Sequence, residues 1–75
     1  MEEQKEFLEQ QLQWTKEQIR ILDEMDKKLQ EMKKIAEYAA TNDLSVNERE
    51  ELNRQLEMVK NEYSSLERQR HTGVH

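Results

Sequence analysis

The chain has 75 residues and a net charge of −5, and it is 39% charged but only 33% hydrophobic. It has no proline and no cysteine, and its one glycine is Gly73. That length allows one small domain. The missing cysteines exclude disulfides and thiolate metal cages, and the acidic balance argues against nucleic acids and anionic membrane surfaces as partners.

Such a composition suits either a disordered polar chain or long solvated helices with a narrow apolar seam. Glu, Gln, Lys, Leu, Met and Arg dominate, and all are good helix formers. With no internal glycine or proline to break them, helices are expected. A single core in a chain of this size rarely contributes more than roughly 3–5 kcal/mol, so self-association or a partner is expected as well. No apolar run approaches the ~20 residues of a membrane span. The opening residues Met1 to Lys5 also lack the basic-then-apolar order of a signal peptide. The expected location is the cytoplasm.

Helix 1 is expected from about residue 3 to about residue 40. Leu8, Leu12, Ile19 and Leu22 stand at coiled-coil spacing around Thr15. The rhythm then slips, because Ile19, Leu22 and Met25 follow at two successive steps of three. Strict phase would put Asp26 and Lys33 into the seam, which is costly. The expectation is therefore a helix that changes its buried face near residue 22, through Leu22, Met25, Leu29 and Met32. The alternative is a wider stripe that includes Gln18, Ile21 and Ile35.

The connection is expected at 41–45, where Thr41, Asn42, Asp43 and Ser45 offer the backbone competing hydrogen bonds. Asn42 is the candidate left-handed stop. Ser45 and Glu48 have the spacing of a capping box, with Leu44 placed to staple onto the first turn. Helix 2 is then expected over about 46–69. Its seam of Leu52, Leu56, Val59, Tyr63 and Leu66 repeats at steps of four, three, four and three. Residues 71–75 lose the periodicity and read as a flexible tail.

A short connection makes the helices antiparallel. Folding about residues 42–43 sets Met32 against Leu52, Leu29 against Leu56, Met25 against Val59, Leu22 against Tyr63 and Ile19 against Leu66. Residues 1–14 then project past helix 2 by about 20 Å at a rise of ~1.5 Å per residue. Phe7, Leu8, Leu12 and Trp14 on that overhang, together with Ile19, are the expected oligomer or partner interface.

Catalytic and metal chemistry find no footing here. His71 and His75 have a spacing that suits a metal only on a helix, and they flank Gly73 in the expected tail with no third ligand near. No nucleophile–histidine set can form. A two-helix hairpin also offers the many carboxylates no pocket to perturb them. No catalytic residue, cofactor or metal is expected. Lys27, Lys28, Lys33 and Lys34 lie within three or four residues of Glu24, Glu31 and Glu37, so they read as helix ion pairs rather than a nucleic-acid site. Met25, Met32 and Met58 read as seam packing before they read as an adaptable groove.

The run Leu22-Asp23-Glu24-Met25-Asp26-Lys27-Lys28-Leu29-Gln30-Glu31-Met32-Lys33-Lys34-Ile35-Ala36 resembles the first helix of the N-terminal helical region of bacterial flagellins. Ala39 to Ser45 stands where that family has its Asn-containing turn, and Glu48 to Leu56 continues into its second helix. The likeness spans about residues 15–68. It implies a helical hairpin that accepts a further helix alongside. Glu31 occupies a position that is basic in the family, so receptor recognition by that region is not carried over.

The resulting expectation is an all-α antiparallel hairpin completing a bundle by oligomerisation. It is a non-enzymatic protein acting by helix–helix association, with a homodimer favoured and another helical protein as the other candidate partner. The alternative is a flagellin-related structural or chaperone-like export module. A third is an adaptor that captures an amphipathic helix.

Overall fold

The computed structural model describes residues 1–71, with His71 entering only as the last backbone position of a helix. It is an all-α hairpin of two helices, α1 (Glu2–Thr41) and α2 (Val46–His71), joined by Asn42–Ser45. Of the expected tail 71–75, position 71 belongs to α2 instead, and residues 72–75 lie outside the described residues, as does His75 of the candidate histidine pair. No helix among the described residues is long and apolar enough to cross a membrane.

The molecule is a rod with extents of 65 × 17 × 12 Å. Its Cα radius of gyration is 18.5 Å, against roughly 11 Å for a compact domain of this length. The long axis is the length of α1, whose 40 residues reach about 60 Å at ~1.5 Å each. α1 runs without interruption through residue 22.

The connection corrects one expectation. Asn42 is not a left-handed stop: its φ of −120° and ψ of 145° are extended. It ends α1 with two hydrogen bonds to the Tyr38 carbonyl, one from its backbone N–H at 3.1 Å and one from its side-chain amide at 2.8 Å. The Thr41 hydroxyl donates to the Glu37 carbonyl at 2.8 Å. Side-chain donors thus satisfy carbonyls that a left-handed turn would otherwise supply with backbone N–H groups.

At the start of α2, the Glu48 N–H donates to the Ser45 hydroxyl oxygen at 3.2 Å. The Glu48 carboxylate takes a hydrogen bond from that same hydroxyl at 3.1 Å. The two capping residues pair as expected, although Glu48 meets the hydroxyl of Ser45 instead of its backbone N–H. Leu44 is half-buried beside them.

The core is small. Ile21, at 2% exposure, Met25 and Val59 are its buried hydrophobic side chains. Around them Gln18, Lys28, Met32 and Ile35 of α1, and Leu52, Leu56, Tyr63 and Leu66 of α2, are half-buried. The α2 seam is the expected one. The α1 seam differs: Leu22 and Leu29 lie outside it, 42% and 45% exposed, and the wider stripe's Ile21 and Ile35 take their places. From Gln18 to Ile35 the covered row steps by three and four without a break.

The register also differs from expectation. Folding about 42–43 would have set Lys28 level with Glu57, yet its ammonium bonds the Glu62 carboxylate at 3.0 Å. α2 begins at Val46 as expected, so the difference lies in how far along α1 it is set, not in where it starts. Ile35 shares a groove with Val59, and Glu24 and Lys28 share another with Glu62 and Leu66.

Two stability outcomes follow from this packing. Ile21→Ala is expected to cost about 2–4 kcal/mol, whereas Leu29→Ala, on the uncovered side, costs less than about 1 kcal/mol; urea unfolding followed by circular dichroism compares them. Ser45→Ala removes the α2 cap and is expected to cost ~1 kcal/mol by the same measurement.

Candidate helix association surface

Once α2 is docked, α1 is left with a second apolar row. Leu8, Leu12, Thr15, Ile19, Leu22, Leu29 and Ala36 share the three–four rhythm of the covered row, and each stands one residue after a position of that row. One residue rotates by roughly 100° around a helix, so the two rows form adjoining faces of one cylinder. α2 covers only the first. All members of the second row are exposed, Leu8 at 64%. Asp26 and Lys33 interrupt this row toward its C-terminal end.

The first row also continues past the reach of α2. The 40 residues of α1 outrun the 26 of α2, which leaves the N-terminal part of α1 bare. Trp14 and Phe7 extend the row along the bare segment, and both are exposed. The five residues expected at an interface thus fall into two groups. Phe7 and Trp14 prolong the covered row, while Leu8, Leu12 and Ile19 belong to the uncovered one.

Leu22 and Leu29, expected inside the hairpin, join the uncovered group. The missing signal was that two rows offset by one residue share α1. Read as a single seam, they look like a slip at residues 19, 22 and 25.

Thr15 fits an apolar row because its hydroxyl donates to the Gln11 carbonyl at 2.8 Å. Covering it would leave no hydroxyl without a partner. The groove lined by Met1, Gln4, Lys5, Leu8, Glu9 and Leu12 is open and mostly apolar, the form of a helix face without a neighbour.

Polar chemistry along the hairpin is mostly solvated pairing. Glu17 with Arg20, Glu24 with Lys27, Lys33 with Glu37 and Glu51 with Arg54 are intrahelical ion pairs at 2.7, 3.2, 4.0 and 2.7 Å. Hydrogen bonds from Arg20 and Arg54 hold the Glu17 and Glu51 carboxyls below the ordinary 4.5. Exposed pairs of this kind contribute little.

Lys28 is different, since it occupies a position in the covered row with its side chain only 19% exposed. Its ammonium reaches out to Glu62, and to Glu31 at 3.8 Å. The hydrogen bond to Glu62 holds its pKa above the ordinary 10.5, against the opposing effect of burial. Among the described residues no group of three or more His, Cys, Asp or Glu is placed to hold a metal ion.

Compared with models of known families, with curated proteins and with solved structures, the chain finds no match.

The Lys28–Glu62 pair has a defined pH signature. Because its folded pKa is raised, the contribution of Lys28 is complete below its ordinary value and is lost as pH climbs beyond about 10.5. Lys28→Met removes the charge from the seam and leaves Glu62 half in solvent. It is expected to hold or raise the melting temperature at neutral pH and to flatten the alkaline decline, as read by thermal melts from pH 7 to 11.

Proposed function

We propose that the protein is a small, non-enzymatic association module. One face of α1 is held by α2, and the other binds a second copy of the chain to give a two-fold dimer. The observation that carries this reading is the pair of offset apolar rows on α1, of which the shorter arm can cover only one. An apolar face of this length in water is an association surface, and symmetric dimers are the commonest way to cover one. A cytoplasmic location belongs to the same reading, as does the absence of catalytic or cofactor chemistry.

The flagellin-like pattern favours a second reading through the same row. A hairpin that accepts a further helix alongside could receive it from a filament subunit, as a structural or chaperone-like export partner. Co-purification with a flagellar component would favour that reading over self-association.

Sedimentation equilibrium over the micromolar range is expected to show a dimer. The double variant Leu8→Asp/Leu12→Asp is expected to sediment as a monomer and to keep the helicity of the hairpin by circular dichroism. A wild-type chain that stays monomeric at these concentrations overturns the self-association reading. Loss of helicity in the variant would assign these residues to the fold instead.

A further inference from the structure

The chain has four methionines and no cysteine, so thioethers are its readily oxidised sulfurs. Three of the four gather where α1 and α2 meet. Met25 is one of the buried side chains of the core, 6% exposed. Met32, one heptad further along the covered row of α1, is half-buried. Met58 lines the groove between the arms with Ile35 and Val59, and is itself exposed. Met1 is exposed at the start of α1.

This distribution matters because the seam holds little else. Ile21 and Val59 are the other buried hydrophobic side chains, so a change of polarity at Met25 acts on most of what joins the arms. Oxidation of a thioether to a sulfoxide turns a flexible apolar side chain into a polar one, whose oxygen is costly to bury without a hydrogen bond. Lys28 lies between Met25 and Met32 on the same row, and its ammonium is already engaged by Glu62 at 3.0 Å and Glu31 at 3.8 Å. Water is the remaining donor, and water enters the seam only when the arms part.

We propose that the hairpin is an oxidation-sensitive latch: oxidation of Met25 and Met32 by a peroxide releases α2 from α1, and reduction docks it again. In each forward step the thioether sulfur attacks one peroxide oxygen. The S–O bond forms as the O–O bond breaks, and the second oxygen leaves as water after taking the proton of the transferred one. Sulfur loses two electrons and the peroxide gains them. In the reverse step a methionine sulfoxide reductase removes the oxygen as water while two thiols become a disulfide.

Exposure sets the order of events. Met1 and Met58 meet peroxide directly, whereas Met25 meets it when the seam opens, an easy local event for so small a core. Release adds the covered row of α1 to the row already exposed, so the oxidised chain offers more apolar surface than the reduced one.

The test oxidises the intact chain stepwise with hydrogen peroxide. Intact mass counts the added oxygens, peptide mapping places them, and circular dichroism follows the thermal melt. Chains oxidised at Met1 and Met58 alone are expected to melt within about 3 °C of the untreated protein, while oxidation at Met25 and Met32 lowers the midpoint by at least about 10 °C. Reduction by methionine sulfoxide reductases of both epimer specificities restores the original melt. Met25→Leu/Met32→Leu, which conserves core volume, is expected to take up two oxygens and keep its transition.

A chain that carries oxygen on Met25 and Met32 yet melts as before overturns the proposal. So does a transition lost while both are still thioethers, a Met25 that stays unoxidised when Met1 and Met58 have reacted fully, or a melt that reduction does not restore. A leucine variant that loses its transition to peroxide as the wild type does overturns it as well.

Discussion

Two unequal arms cannot cover a helix that is apolar on two adjoining faces, and most properties of this protein follow from that mismatch. α1 has 40 residues and α2 has 26, so about a third of α1 projects past its partner. α2 carries one apolar row and lies on one row of α1. The second row, roughly 100° around the cylinder, remains exposed along nearly the full helix. A hairpin in isolation therefore buries very little: Ile21, Met25 and Val59 are its core.

Within the covered seam, packing and specificity are divided between residue types. The apolar residues supply burial but would pack about as well if α2 slid by two turns, because both rows repeat every seven residues. Lys28 breaks that degeneracy. It occupies a seam position, and its ammonium must reach a carboxylate at the edge, which it finds in Glu62. A polar residue at one seam position is a recognised way for helix pairs to fix register at some cost in stability. Ser45 and Asn42 add local definition by fixing where each helix begins and ends.

The uncovered row repeats this division on the outside of the hairpin. Leucines and isoleucine supply surface to bury, while Lys5, Asp26 and Lys33 limit how far a contact along the row extends. An acidic, highly charged chain gains from such limits, since a long uniform leucine face would pair in many registers.

The all-α class, the two helices within a residue or two of their ends, the Ser45–Glu48 cap, the α2 seam and the existence of an overhang were all legible in the residues. Each rests on local chemistry or on the periodicity of one helix, which neighbouring residues suffice to express. Three matters required the tertiary structure: which of two overlapping rows on α1 is buried, the Lys28–Glu62 contact between the arms, and the extended geometry of Asn42. Leu22 and Leu29 look as much like seam residues as Ile21 and Ile35 do. Apolar character says that a side chain is better covered than bare. Only the position of the second helix decides which face is covered, because that choice depends on residues of the other arm, far away along the chain.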